Sequence, residues 1–361
     1  MTTPCRWGIL GAAKIARKNW KAIRKAENST LVAVASRDRA KARQFIDECQ
    51  SDVSFPTPPA ACGSYEELLA RPDVDAVYIP LPTGVRKEWV IRAAEAGKHV
   101  LSEKPCGVNA ADLREMLAAC EKHRVQFMDG VMFMHSARLP LLRSVLDDGT
   151  SVGDVRRVVS EFSFHAGEDF YRENIRANAS TEPLGCLGDL GWYNLRFSLW
   201  VMRFAMPRAV SGRMVREHQG VPTEFSGELL YADGATASFY CSFRTSLHQS
   251  AAISGAKGYV DVPDFVIPFM GPEPAFDVTN ALMRVEGCSY HFERRSKRFA
   301  VAEYDAGAPE SQETNMVRAF ADLAKSGKPD PTWGEFSLKT QLVLDACLQS
   351  ARDGGKLVDI A

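Results

Sequence analysis

Two short stretches of the 361-residue chain carry side chains suited to proton transfer. The first is Glu103-Lys104-Pro105, which follows a short apolar run. A lysine where a strand ends holds a hydroxyl by hydrogen bond and lends positive charge to a neighbouring acid. The second holds Asp189 and Tyr193, four residues apart in a segment expected to be helical over 188–202, with Trp192 and Arg196 beside them. That spacing sets carboxylate and phenol on one helix face. Tyrosine titrates at about 10 in water, so a nearby lysine charge is what makes it a base near neutral pH. Plainer readings stand beside these: a turn lysine pointing to water, and a half-buried tyrosine on an amphipathic helix. Between the two stretches lie Asn174 and Arg176, with Asp169 and Arg172 nearby. They suit the hydroxyls of a polar substrate, as does Trp192, and suit surface ion pairs equally. The seven histidines form no metal spacing, so no metal is expected. Neither a nucleophile elbow nor a Walker lysine motif occurs.

These residues need a scaffold, and the N-terminus supplies a recognisable one. Cys5 to Leu10 is an apolar run, Gly11-Ala12-Ala13-Lys14-Ile15 a small-residue turn, and the stretch to Ala26 reads as a helix before the β-branched run 31–35. In this order the backbone of the turn approaches an anion that rests on the helix N-terminus. Gly11-x-Ala13-x-x-Ala16 is a degenerate dinucleotide fingerprint, strengthened by its position directly after a strand. The second strand ends Ser36-Arg37-Asp38-Arg39, without the acid at position 36 that would hold the ribose of NAD. A guanidinium there suits the 2′-phosphate of NADP, so NADP is expected, with NAD possible through Asp38. A solvated loop opening the next helix is the competing reading.

Further on, strands and helices alternate up to about residue 130, with Ser64 a helix cap and Gly97 a helix end. This alternation predicts right-handed crossovers and a Rossmann-like parallel sheet over 1–130. Its ligands gather at the carboxyl strand ends, where Gly11, Ser36, Pro80, Glu103, Lys104 and Asp129 stand. Residues 131–361 change texture, with period-two segments from 208 to 266, short strands over 275–305 and closing helices near 313–326 and 337–349. An α+β domain with a large, mostly antiparallel open sheet is expected there, for substrate binding and oligomerisation. An open sheet must cover its apolar face. The remainder points to a homodimer, since two-fold closure is the commonest solution.

The length and 45% hydrophobic content suffice for two cores. Forty-four basic against 45 acidic residues argue against a nucleic-acid surface. Nine scattered cysteines, with no CxxC pair, fit buried thiols in a reducing compartment. No long apolar run and no room for a signal sequence before the first strand lead to a cytoplasmic, non-membrane expectation.

With these marks in order, the chain resembles the family of glucose-fructose oxidoreductase, inositol dehydrogenase and the rhizopine-catabolism proteins over nearly its whole length. GILGAAKIA at the N-terminus, the EKP triplet at 103–105, GxxGDxGxY over 185–193, Asn174-Ile175-Arg176 and Ile253-Ser254-Gly255-x-x-Gly258 carry the resemblance. Tyr193, where many relatives have histidine, is similar to the branch of NADP-dependent D-xylose dehydrogenases and dimeric dihydrodiol dehydrogenases. The resemblance implies that Lys104 and Tyr193 sit at the reacting carbon, with Asp189 orienting substrate. It implies an NADP-dependent dehydrogenase of an aldose such as D-xylose, or of a cyclic diol. Arg86 stands near a position where relatives often have histidine, which leaves nearby substrate contacts open; Ser102 also departs from the common pattern. Competing readings are a carbonyl or imine reductase, a glycoside hydrolase with NAD as internal redox aid, and an NADP-binding regulator.

Overall fold

The computed structural model describes residues 3–268, 273–303 and 309–360. The strand–turn–helix at the N-terminus forms β1 (Cys5–Leu10), α1 (Ala16–Lys25) and β2 (Ser29–Ala35). Helix α1 buries Ala16, Asn19, Trp20 and Ile23, a stripe at helical spacing. There follow α2 (Arg39–Asp52), β3 (Ala60–Cys62), α3 (Tyr65–Leu69), β4 (Ala76–Ile79), α4 (Thr83–Glu95), β5 (His99–Ser102), α5 (Ala110–Lys122) and β6 (Phe127–Asp129). Caps set several of these boundaries: Ser64 Oγ accepts from the Glu67 amide at 3.1 Å, and Gly97 takes φ +71° just past α4. The six strands form a parallel sheet in the order 3-2-1-4-5-6, which reverses direction between β1 and β4. Dinucleotide sites open at that reversal.

The remaining elements are α6 (Arg138–Asp147), β7 (Val155–Ser163), α7 (Glu168–Glu173), α8 (Trp192–Val201), β8 (Ala209–His218), β9 (Val221–Leu230), β10 (Thr236–Ser242), β11 (Ala251–Gly255), β12 (Tyr259–Val262), β13 (Ala275–Glu286), β14 (Ser289–Ala300), α9 (Gln312–Lys325), α10 (Thr332–Arg352) and β15 (Val358–Asp359). Nine strands form the second sheet, antiparallel except where β10 runs parallel to β7. Helices α8 and α10 cover one face of it. The other face stays open, with Val159 41% exposed.

One segment differs from the sequence-based expectation, and the place of one closing helix is decided by the structure. The short strands expected over 275–305 are one long hairpin, β13 and β14, of 12 residues each; residues 304–308 lie outside the described ones. Alternating charged and apolar residues hid its length, because its outer half has no core to face. Helix α9 returns to the first sheet rather than the second. It lies on α1, β1 and β2, and Phe320 meets Trp7 with ring centres 5.0 Å apart.

Candidate active site

The site begins at the turn after β1. Gly11 adopts φ +121°, a conformation open to glycine, and its amide donates to Ala35 O at 3.0 Å. That bond sets Ser36 and Arg37 beside the turn. Helix α1 follows with Ile15 at its N-cap position, no side-chain cap and no acid in its first turn. Among the described residues, no hydrogen bond is found from the Lys14 or Ile15 amide. Uncapped amides at the positive end of a helix dipole fit a phosphate. Around them the cations divide in two groups. Arg39 is committed, bidentate to Glu67 at 2.7 and 2.8 Å, and Asp38 accepts from the Ala40 amide as the cap of α2. Lys14 and Arg37 are exposed and make no ion pair among the described residues. This donor set fits a dinucleotide.

A cavity of about 530 Å³ runs from this turn to α8, between the two sheets. Ala13, Lys14 and Ile15 line one end, Pro80, Glu103 and Lys104 the floor, and Asn174, Arg176, Asp189 and Tyr193 the far wall. Residues 187–191 form a π-helical turn that hands over to α8, a wide turn that is frequent at functional sites. Gly188 permits its close approach: a Cβ there would lie 2.6 Å from Leu184 Cβ and 3.1 Å from Pro105 Cγ. The turn thereby comes against Pro105, and Asp189 meets Lys104.

Lys104 Nζ donates to Asp189 O at 2.7 Å and Asp189 Oδ1 at 2.8 Å, and stands 4.6 Å from the centre of the Tyr193 ring. An ammonium has three donors. With two directed at Asp189, one is left for the cavity. Arg176 Nε pairs with Asp189 Oδ2 at 3.1 Å. Burial by itself would raise the Asp189 pKa, but Lys104 and Arg176 hold it below the usual aspartate value. Tyr193 is driven the other way, well above its ordinary value, by burial and by the charges of Glu103 and Asp189. Its hydroxyl lies 3.7 Å from Met132 Sδ. The phenol is thus neutral at rest, and Lys104 faces its ring while bonded to Asp189, in place of the expected lysine-lowered tyrosine. Glu103 Oε1 accepts from the Tyr78 hydroxyl at 2.5 Å, which orients the carboxylate at the cavity floor.

Several expected site residues fall elsewhere. Trp192 is fully buried behind Tyr193, its Nε1 donating to Asp129 Oδ2 at 3.3 Å, so it touches no substrate space. One step along a helix turns a side chain by about 100°, and Trp192 points into the core. Asp129, at the end of β6, is closed off by Arg196 at 2.6 Å. Asp169 and Arg172 form an exposed ion pair outside the cavity. Arg86 does line the cavity; it is buried and donates to the main-chain oxygens of Leu81 and Pro105, bracing the lysine loop. His135 is half-buried against Trp333 with ring centres 4.6 Å apart, and exposed His165 lies outside the cavity lining. Conversely, the sequence alone did not point to Lys18, Asn19, Glu182 or Glu313, nor to the apolar wall of Phe162, Phe164, Leu247 and Ile267. No local motif marks them; topology brings them in.

Known proteins share this architecture. Residues 5–131 match the family model described as an oxidoreductase family with an NAD-binding Rossmann fold, and residues 141–261 match its C-terminal domain. The chain is 36% identical over 261 residues to trans-1,2-dihydrobenzene-1,2-diol dehydrogenase of Bos taurus, covering 72% of this chain and 74% of that one. It is 31% identical over 351 residues to a D-xylose 1-dehydrogenase (NADP(+)) of Haloferax volcanii, covering 96% and 98%. Aldose-aldose oxidoreductase of Caulobacter crescentus shares the fold, with a TM-score of 0.79 at 24% identity over 99% and 100% of the two chains. Among the described residues no helix is long and apolar enough to cross a membrane. With both halves matched in order, the chain belongs to the glucose-fructose oxidoreductase, inositol dehydrogenase and rhizopine-catabolism family of NAD(P)-binding oxidoreductases.

Proposed function

We propose that the protein is an NADP-preferring dehydrogenase that acts on a hydroxyl-bearing ring carbon of a sugar, with Tyr193 and Lys104 handling the proton. The convergence of Lys104, Asp189 and Tyr193 in the cavity that also reaches the α1 turn is the observation that carries this reading. Bound NADP supplies the hydride acceptor and, when reduced, the hydride donor. The Ala13–Ile15 turn holds its phosphates, and Arg37 the 2′-phosphate. Lys104 keeps one ammonium proton for the substrate oxygen while Asp189 fixes the direction of the side chain. Arg176 keeps Asp189 ionised and presents its remaining donors, with Asn174, to neighbouring hydroxyls. Tyr193 stands protonated, ready to give its proton to a carbonyl oxygen in reduction. In oxidation the phenol must first release its own proton to water, an ionisation that positive charge in the cavity favours, and the tyrosinate then takes the hydroxyl proton.

Aldose oxidation at C1, as in the Haloferax relative, accords with the polar side of the cavity, Asn174 and Arg176. A cyclic trans-diol, as in the bovine relative, is the second reading, and the wall of Phe162, Phe164, Leu247 and Ile267 favours it. A homodimer through the open sheet belongs to the same proposal. The β13–β14 hairpin extends that face with Met283 opposite Phe292 and Val285 opposite Tyr290, each more than half exposed. Light scattering on the purified chain tests it.

The deciding experiment follows nicotinamide absorbance with NADP+ or NAD+ against aldoses, inositols and cyclic trans-diols, then with NADPH against ketoses and dicarbonyls. Turnover on aldoses or diols picks between the two readings. Tight cofactor binding without turnover on any of them would overturn the dehydrogenase assignment.

A further inference from the structure

Residues on one wall of the cavity keep hydrogen-bond acceptors that have no partner among the described residues. Glu313, at the start of α9, is 3% exposed. Its Oε1 lies 2.5 Å from Lys18 Nζ, and its Oε2 has no partner among the described residues. Asn19, the next residue along α1 from Lys18, is 4% exposed, with an equally unpartnered Oδ1. All three residues line the cavity. Buried polar atoms are rarely left unpaired, because each loses its water without compensation. Two such acceptors at one cavity describe a ligand that brings N–H or O–H donors. The amide of Asn19 can be turned about, exchanging its N and O, so the Glu313 carboxylate carries the argument.

The position of this wall narrows the ligand. Lys18 and Asn19 follow the phosphate-facing turn by about one helical turn. At the other end, Glu313 is close enough for its charge to act on Tyr193. The acceptors therefore lie along the line from phosphate to proton-transfer group, where the nicotinamide half of the cofactor must sit under the reading proposed above. That half carries two kinds of donor, the carboxamide N–H groups and the ribose hydroxyls. Lys18 pins one oxygen of Glu313, leaving the second oxygen with a fixed direction. A fixed acceptor suits a flat, rigid donor, since the ring's orientation is then set by one bond.

We propose that Glu313, held by Lys18 and supported by Asn19, accepts the carboxamide N–H of the nicotinamide and so sets the ring's orientation toward Lys104 and Tyr193. This rests on the cavity being the NADP site. Its consequence is that α9, which belongs to neither the fingerprint turn nor the EKP loop, completes the cofactor site.

Calorimetric binding tests this without turnover, using NADP+, its 3-acetylpyridine analogue, which lacks the amide N–H, and 2′-phospho-ADP-ribose, which lacks the ring. Wild type should bind NADP+ about tenfold or more tightly than the analogue, the range of a bond to a charged acceptor. Glu313→Ala should lose that preference by weakening NADP+ alone, leaving the analogue and 2′-phospho-ADP-ribose unchanged. Glu313→Gln, which keeps the shape, should shrink the preference severalfold and serves if the alanine variant does not fold. Equal weakening of all three ligands would assign Glu313 to the ribose or to the fold and overturn the proposal, as would a wild type indifferent to the amide. If wild type binds neither NADP+ nor 2′-phospho-ADP-ribose, the NADP reading itself fails.

Discussion

The run 187–201 carries two acid–base clusters, one turned to the cavity and one sealed from it. Asp189 meets Lys104 and Arg176, and Arg176 is still 43% exposed. Seven residues on, Arg196 meets Asp129 with both side chains at 0%. In the sealed cluster the donors are met inside: Arg196 Nη1 and Nη2 reach Asp129, its Nε reaches Thr340 Oγ1 at 2.8 Å, and Trp192 caps the same aspartate. It ties β6 to α8 and α10. In the open cluster, an ammonium proton and most of a guanidinium are left over. Unspent donors beside a cavity, rather than charge as such, separate a site from a seam.

The largest expected effect falls on the open side. Tyr193→Phe should lower turnover by about 10²–10⁴-fold, the range of a lost general acid or base. Stability should change by less than about 1 kcal/mol, since among the described residues the hydroxyl's hydrogen-bond partner is the Met132 sulfur alone. Steady-state rates beside urea denaturation check both halves; an unimpaired rate returns Tyr193 to a packing role.

The sealed cluster should behave in reverse. Asp129→Ala strands a buried guanidinium and should cost about 3–5 kcal/mol of stability. The protein that remains folded should bind NADP+ as wild type does. A denaturation midpoint that hardly moves, or a lost cofactor affinity, would erase the distinction between the clusters.

His135 sharpens the comparison with a half-buried group that titrates. Burial, with a smaller push from Arg196, lowers its pKa to about 3, and its Nε2 has no partner among the described residues. The unfolded chain protonates this residue below about 6.5 while the native one does not. Stability from neutral His135 is therefore present above that pH and lost as pH falls toward about 3, by about 1.4 kcal/mol per unit. In His135→Phe, denaturation curves over that window should lose this component of the slope.

The smallest effect belongs to Arg37, an open cation outside the cavity proper. Arg37→Ala should weaken NADP+ about tenfold, one charged hydrogen bond, and leave NAD+ unchanged. Equal wild-type affinities for the two cofactors would remove Arg37 from the specificity role.

Much of the site was legible before any coordinates. The glycine turn, the strand-ending Ser36-Arg37 and the EKP loop lie within single supersecondary units, where local chemistry dictates shape. Asp189 and Tyr193 share a face because helix spacing demands it. Trp192 was misplaced because adjacency in sequence is not adjacency on a helix. Asp129 was misplaced because a carboxylate at a strand end reads the same whether water or Arg196 meets it.

By itself the sequence determined the βαβ unit with its anion-ready turn, the parallel sheet and the identity of the lysine, aspartate and tyrosine. Each follows from a period, a cap or a motif spanning a few residues. Only the tertiary structure decided which charges are covered, and that α9 comes back across the first sheet to put Glu313 beside Lys18. Burial depends on what arrives from elsewhere in the chain, and no local pattern records the arrival.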